Sequence, residues 1–381
     1  MAAELPAPGT VLVYDYRPSP HAATAPAGRP LRVLQWNVER NYEADRIIAT
    51  IRELDVDIVF LQEVDIYCKR SGSRDHLREM AEALQMRAGF VCEFVELESV
   101  VRSERDQGGG VHGNAILTRL DAEFRALDHA HHPVNWEREG MALREPRKGR
   151  RYTIVAAVDV YPHEAPVLCY SVHLEVFCGI SGRVAQFSDV LADASAHRRS
   201  HPRQLIFGDL NTMGHSIARL SGKYCRDQYR WRSFGYSEAH WWDRRVFAWH
   251  CEDGPRNELL EREGIFSEDV LRAARNPGFW DPWDTDHDIT LHNKAYFGIF
   301  QGKLDWTLLM GWELDAKRMG NHDYTASDHK WLLLELEPEH DDDDDDDDDN
   351  GNDQDAEGVG GVASLSLHHT SGATSERNGG G

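Results

Sequence analysis

The sequence predicts an α/β protein: a four-layer α/β sandwich in which two packed mixed β-sheets are flanked by helices. Three observations lead there. From Leu31 onward, short apolar runs alternate with stretches whose apolar residues recur at three- and four-residue spacing, the periods of strand and amphipathic helix. Neighbouring runs such as 152–161 and 167–172 are separated only by a turn holding Pro162 and Pro166, so hairpins mix with helical crossovers. Several runs also end in Asn, Glu, His or Asp, groups that an apolar strand buries only at a cost unless they find partners.

Taken in order, residues 1–28 are rich in Ala and Pro without periodicity and read as a flexible arm. Residues 31–36 read as a strand. A helix over 43–54 follows, with Ile47, Ile48, Ile51 and Leu54 at helical spacing. Residues 57–62 form a buried strand and 75–86 a second amphipathic helix. Strands follow at 91–97, 112–118, 152–161 and 167–172. A third helix runs from Gly182 to about His197, with Val184, Phe187 and Leu191 on one side. The last strands are 205–208, 304–310 and 331–336. Residues 213–300 hold six of the eleven Trp with few strand signals and read as a helical and loop insertion over the sheet ends. One domain thus spans 29–338.

Beyond Pro338 the composition changes. Asp341–Asp349 is nine consecutive aspartates, and residues 339–381 carry fourteen acidic residues and one arginine. Of the formal charge of −23, this segment holds −13 and residues 1–338 hold −10. Self-repulsion and scarce apolar residues predict a disordered acidic tail. The remaining charge argues against broad non-specific nucleic-acid binding, which needs Lys and Arg against phosphates. It leaves a phosphate substrate open, because bound cations reverse the local field. Six cysteines without a C-x-x-C pair predict free thiols in a reducing compartment. With no secretory h-region and no apolar run near 18 residues, the chain reads as soluble and intracellular, in cytoplasm or nucleus.

The polar strand ends suggest a reaction. In Gln204-Leu-Ile-Phe-Gly-Asp-Leu-Asn-Thr212 a buried strand presents Asp209 and Asn211, able to hold a water beside a phosphate. Segments of the same kind are Gln35-Trp-Asn-Val-Glu39, Leu61-Gln-Glu63, Gly113-Asn-Ala-Ile116, Ser171-Val-His-Leu-Glu175, and the pair Lys303-Leu-Asp-Trp306 with Ser327-Asp-His329. Cleaving a phosphate ester needs an activated water, neutralised oxygens and a stabilised leaving group. Mg²⁺ prefers hard oxygen ligands and keeps several waters, so one or two carboxylates suffice. Glu63 ends an apolar strand, where a carboxylate would be costly unless it met a cation or donors.

In this order the segments resemble the endonuclease/exonuclease/phosphatase superfamily of divalent-metal phosphoesterases, over about residues 31–337. The resemblance implies the DNase I-like fold and Mg²⁺, with Mn²⁺ as an alternative. It makes Glu63 the principal metal ligand, with Glu39 and Asp328 as further metal contacts. It implies that Asp209 orients the attacking water and Asn211 holds the water or phosphate. Asn37 would orient Asp209 or contact the phosphate. Asp305 would orient His329, which supports the transition state, and His173 would contact the scissile phosphate or leaving oxygen. Glu39 stands where the family often has Asp, which weakens its metal role. The His173–Glu175 segment followed by Arg183 and Gln186 looks like phosphodiesterase members rather than the inositol-phosphatase branch. Asn114 would stand behind the site, and Arg183 would brace Glu175 or reach phosphate.

Some features have plainer readings. Gly108–Gly110 reads as a flexible turn, and the basic cluster Arg147-Lys-Gly-Arg-Arg151 first as a solvated hairpin and second as a substrate contact. Trp241, Trp242 and Trp283 read first as packing under long loops and second as cleft walls. The expected partner is a phosphate-ester substrate, nucleic acid included, for a monomeric enzyme. Within the family, a phosphomonoesterase or sphingomyelinase-type activity is the alternative. From another class, the alternative is a non-catalytic interaction protein whose poly-Asp tail binds a basic partner.

Overall fold

The computed structural model describes residues 5–19, 28–213, 222, 238–249, 255–293 and 300–339. In chain order the elements are β1 (Val11–Asp15), β2 (Leu31–Asn37), α1 (Ala44–Leu54), β3 (Ile58–Ile66), α2 (His76–Leu84), β4 (Arg87–Glu96), β5 (Val111–Thr118) and β6 (Asp121–Asp128). Then come α3 (Trp136–Leu143), β7 (Arg147–Gly149), β8 (Tyr152–Asp159), β9 (Val167–His173), α4 (Ile180–His197) and β10 (Gln204–Asp209). Three short helices, Glu238–Trp242, Glu258–Glu261 and Glu268–Ala273, precede β11 (Leu291–Asn293), β12 (Phe300–Gly302), β13 (Asp305–Met310), β14 (Trp312–Gly320) and β15 (Trp331–Pro338).

The architecture is the expected pair of mixed sheets. One has the order β1-β4-β5-β3-β2-β15-β14, with β7 also pairing β4; the other has the order β13-β10-β9-β8-β6. β2 and β3 are parallel and joined by α1, and β9 and β10 are parallel and joined by α4, as parallel neighbours require a crossover. Between the sheets lie Val33, Phe60, Ile116, Cys169, Phe207 and Leu309, among others. Outside the first sheet Ile47, Ile51, Leu77 and Met80 pack from α1 and α2. Outside the second, Val184, Phe187 and Leu191 of α4 meet Trp242 and Phe279. Each large apolar side chain buried this way contributes about 1.5–3 kcal/mol.

The structure corrects the sequence reading at several points. Residues 5–19 of the presumed arm are not loose: β1 pairs antiparallel with β4, and Tyr14 donates to Asp75 (2.8 Å) at the cap of α2. The short run Val11-Leu-Val-Tyr-Asp15 was hidden by its Ala/Pro-rich flanks. β6 and β14 were also missed. They are a half-buried and an outer strand whose alternate residues face water, so their charge content hides the strand period. The glycine run is not free either: a Cβ on Gly110 would lie 2.1 Å from Ile66 O, so glycine is needed for close backbone approach. Trp241, Trp242 and Trp283 are buried in the cores, as the packing reading has it. The acidic tail from 340 onward, residues 1–4 and 20–27 of the arm, Trp231, Cys225 and Cys251 lie outside the described residues. Among the described residues, no helix is long and apolar enough to cross a membrane, and Cys68, Cys92, Cys169 and Cys178 are buried free thiols.

Candidate active site

The ends of five strands from both sheets meet at one edge. In the second sheet Asp209 stands in register with His173 on β9 and with Asp305 on β13, so three adjacent strands present their polar residues side by side. A Cβ on Gly208 would sit 1.9 Å from Val172 O, so only glycine allows β9 and β10 to approach this closely beside Asp209. In the first sheet Asn37 ends β2, next to β3. β3 does not stop at Glu63 as the sequence suggests. It bulges between Leu61 and Val64 and continues to Ile66, with Glu63 in the left-handed region (φ 61°). The bulge re-aims the carboxylate into the cleft, a common use of bulges beside sites. Glu39, Arg40, Asn41 and Asn211 are also left-handed, at φ 43°, 60°, 57° and 51°. Such backbone costs about 1–3 kcal/mol per residue and persists only where its surroundings fix it. Here Glu39 N donates to Asn37 Oδ1 (3.1 Å), Asp65 N to Asn41 Oδ1 (3.2 Å), and Asn211 N to Asp209 Oδ1 (2.8 Å).

Asn37 Nδ2 links the sheets, donating to Asp209 Oδ2 (3.0 Å) and Glu63 Oε1 (3.4 Å). His329 Nδ1 donates to Asp305 Oδ2 (2.7 Å), leaving its Nε2 3.7 Å from Asp209 Oδ2 and 3.9 Å from Asp328 Oδ1. His173 Nε2 lies 3.6 Å from the same Asp209 oxygen and 4.0 Å from Glu63 Oε1. Asp328 N donates to Glu39 Oε2 (2.9 Å), and Ser327 Oγ to Asn37 O (2.7 Å). All nine sequence-predicted residues thus join one network. Asn211 differs in detail: its Nδ2 donates to Leu174 O (2.9 Å), so its contact with Asp209 is through the backbone. Beneath the site, Gln62 donates to Gln35 (3.0 Å) and Ser171 (3.0 Å), and Gln35 to Asp305 Oδ1 (3.2 Å), so the buried polar layer between the sheets is hydrogen-bonded.

The Endonuclease/Exonuclease/phosphatase family matches residues 34–329, which contain every residue of this network. The chain belongs to that family. Comparison with curated proteins finds no match. Among solved structures it is similar to an endonuclease/exonuclease/phosphatase from Beutenbergia cavernae DSM 12333 (19% identity, 81% of this chain and 72% of that one, TM-score 0.47). It is also similar to the human Nocturnin catalytic domain with bound sulfate anion (14%, 86% and 97%, 0.45) and to ANGEL2, described as a 2′,3′-cyclic phosphatase (13%, 82% and 96%, 0.47).

Whether this family member can hold a divalent cation is decided by its donor set. Glu39, Glu63, Asp209 and Asp328 are hard oxygen donors, with Arg105 3.4 Å from Glu39, Arg40 3.7 Å from Glu63 and His329 3.7 Å from Asp209. Burial, with Asp328 and Glu63 nearby, pushes Glu39 up to about 7. Burial, opposed by His329 and reinforced by Asp305, pushes Asp209 up to about 7. Asp328 is raised to about 6 by burial and by Glu63 and Asp209, against the pull of His329. Burial also acts on Glu63, but Arg40 (Nε 3.7 Å away) and His112 keep it below the usual range. Carboxylates that repel one another in a buried cleft fit a cation.

The two imidazoles are set differently. Arg151 Nη1 lies 2.9 Å from His173 Nδ1, and a guanidinium can only donate, so the remaining proton of His173 is on Nε2. Burial and Arg151 hold this imidazole well below its ordinary value. Burial acts on His329 in the same sense, but Asp305 and Asp209 hold it well above. One ring is therefore neutral and the other charged, and both point an Nε2–H at the cleft.

Sequence reasoning missed a group of residues around this pair. Arg147 and Arg151 are not a solvated hairpin: both are buried and line the cleft, 4% and 3% exposed. Arg151 pairs with Glu93 (2.9 Å), which accepts from Asn114 (3.1 Å), placing Asn114 behind the site. Arg147 lies over Trp136 (3.8 Å). Arg183 neither braces Glu175 nor reaches the cleft; it forms a buried bidentate pair with Glu238 (2.7 and 2.7 Å), and Glu175 meets Trp136 Nε1 (2.8 Å) and His132 instead. Glu93, His112 and His173 offer atoms within 4.8 Å of one another, a set able to hold a metal ion. The one available signal was a lone charge inside an apolar strand, as at Glu93 and His112.

Proposed function

We propose that this protein is a divalent-metal-dependent phosphodiesterase. The observation that supports it best is the convergence of two imidazole Nε2 atoms, 3.6 and 3.7 Å away, on one Asp209 oxygen, beside Glu63, Glu39 and Asp328. Glu63, with Glu39 and Asp328, would hold Mg²⁺ or Mn²⁺. Once bound, such an ion supplies charge neutralisation at a phosphate oxygen and at the leaving oxygen.

The chain's own residues account for the rest. Asp209, fixed by Asn37 and by Asn211 N, accepts a hydrogen from the attacking water and sets its direction. Its raised basicity suits it to take the proton near neutral pH. His329, charged and held by Asp305, donates to a phosphate oxygen and stabilises charge there as the bond to the leaving group breaks. His173 donates from its neutral ring to a second phosphate oxygen or to the leaving oxygen. Asn211 adds its remaining amide hydrogen to the water or phosphate. The cleft, about 180 Å³, suits a single phosphate ester with its immediate substituents.

The test is hydrolysis of bis(p-nitrophenyl) phosphate with Mg²⁺ and with EDTA, for wild type, Asp209→Ala and His329→Ala. Activity abolished by EDTA and by both substitutions in folded protein is expected. Full activity in both variants would overturn the assignment. A panel of single-stranded DNA and RNA, poly(A), abasic duplex, sphingomyelin and inositol phosphates then separates diester from monoester and nucleic acid from small substrates.

A further inference from the structure

We infer that His112 is a substrate-contacting residue that accepts a hydrogen bond from a hydroxyl vicinal to the scissile phosphate ester. This rests on the phosphodiesterase reading and names the substrate class within it. His112 stands on β5, one residue before Gly113-Asn-Ala-Ile116. It is 3% exposed, yet it lines the same cleft as His173, Asp209 and His329.

Its hydrogen bonding fixes which nitrogen is available. Nδ1 lies 2.8 Å from Asp65 Oδ1. Asp65 is fully buried and accepts from Arg70 Nε (2.7 Å), Arg70 Nη2 (2.8 Å) and Ser71 Oγ (3.1 Å). With a guanidinium and a hydroxyl already donating to it, this carboxyl is the acceptor in its contact with His112. Nδ1 of His112 therefore carries a proton, and Nε2 has no partner among the described residues. Burial lowers the imidazole below its ordinary value, and Arg70, 3.3 Å from Nδ1, adds to this against the opposing pull of Asp65. Nε2 thus offers a lone pair to the cleft.

The surroundings narrow what can use that lone pair. Arg40, Arg147 and Arg151 line the cleft with donors only. Arg151 Nη1 lies 2.9 Å from both Glu93 Oε2 and His173 Nδ1, so a guanidinium already serves two of the three groups that a metal bound with His112 would need. A substrate ammonium would meet the same arginines. A phosphate oxygen has no hydrogen to give to Nε2. A neutral hydroxyl meets all of these conditions. The neighbouring imidazole bears on its position: a ring nitrogen of His112 lies within 4.8 Å of one of His173, and His173 Nε2 faces Asp209. A hydroxyl on the carbon next to the esterified one suits that spacing, meeting His112 while the phosphate contacts His173. Both ribonucleotide 3′-diesters and glycerol phosphodiesters carry that unit.

The experiment measures kcat/KM with Mg²⁺ on two matched pairs. One is adenylyl-(3′→5′)-adenosine and its 2′-deoxy counterpart; the other is glycerophosphocholine and the analogue lacking the central hydroxyl. Wild type should prefer the hydroxylated member of at least one pair by about 10- to 100-fold, the size of one buried hydrogen bond left unmade. The pair that shows the preference identifies the source of the hydroxyl. His112→Ala should bring that ratio to within about threefold of one, and His112→Gln, which keeps an acceptor, should retain part of it. Thermal melting establishes that each variant is folded. The ratio is the deciding quantity, because a purely structural role lowers both members together. No preference in either pair, or a preference that His112→Ala leaves intact, overturns the inference. If wild type does not hydrolyse bis(p-nitrophenyl) phosphate with Mg²⁺, the phosphodiesterase reading falls, and this inference with it.

Discussion

Asp305→Asn changes one atom of a fully buried contact and keeps its shape. The carboxylate accepts the His329 Nδ1 hydrogen at 2.7 Å, a charge-assisted bond. Such a bond is worth about 1.5–3 kcal/mol. If the imidazolium acts mainly in the transition state, its loss costs about 10- to 150-fold in kcat/KM. The pH dependence adds a sign. Burial alone would lower the His329 pKa, but Asp305 foremost, then Asp209 and Asp328, hold it well above the ordinary value, so wild type keeps the proton through neutral pH. In Asp305→Asn the largest of these attractions is gone and the pKa falls toward neutrality. The variant should therefore lose further activity between pH 6 and pH 8, where wild type loses none from this group. The assay is bis(p-nitrophenyl) phosphate hydrolysis at saturating Mg²⁺ over pH 6–9, with circular dichroism to verify folding. A variant within about threefold of wild type and with an unchanged pH profile would refute the assigned role.

Three more predictions concern the cation and the frame. Because burial and neighbouring carboxylates raise Glu39 to about 7 and Asp328 to about 6, and only ionised carboxylates bind a cation, Mg²⁺ affinity should rise from pH 6 to pH 8. Calorimetry in two buffers should show proton release at pH 6, and Glu63→Gln should weaken the binding. Arg183→Met leaves the buried Glu238 without its guanidinium, so it should cost about 3–5 kcal/mol in urea unfolding while kcat/KM per folded molecule is unchanged. Phe207→Ala removes a ring whose centroid lies 4.5 Å from that of Phe60 and should cost about 3–5 kcal/mol in the same assay.

The parts of the fold legible in the sequence are those with strong periods. α1, α2 and α4 keep their apolar residues on one face, and β3, β9 and β10 are continuous apolar runs, as strands covered on both sides must be. β1, β6 and β14 escaped because half of each faces water or lies at a sheet edge. Several candidate site residues were legible, because Asn37, Glu63, His173, Asp209 and Asp305 each set in or at the end of an apolar strand a group that burial penalises. Arg147 and Arg151 were not, since a cluster of five residues containing three arginines looks solvated until Phe94, Trp136, Glu93 and Glu96 are seen around it. Nor could the bulge at Glu63 be read, because nothing in Leu-Gln-Glu-Val announces a left-handed residue inside a strand.

The site lies on the seam of the sandwich, and this explains its construction. Glu63 belongs to one sheet and Asp209 to the other, so their separation is set by how the sheets pack. Phe60 and Phe207, three and two residues earlier on the same strands, are in ring contact between the sheets and fix that spacing. Asn37 then donates to both carboxylates across the seam, at 3.4 and 3.0 Å. A single strand end could supply an acid and an amide, but not acids facing one another. Two sheets packed face to face supply them, and the bulge in β3 turns Glu63 toward the same point. Burial foremost, and neighbouring carboxylates after it, raise Glu39, Asp209 and Asp328, and the packing of the sheets imposes both. A cation at the seam would offset that penalty, so core packing and metal affinity would be two sides of one balance.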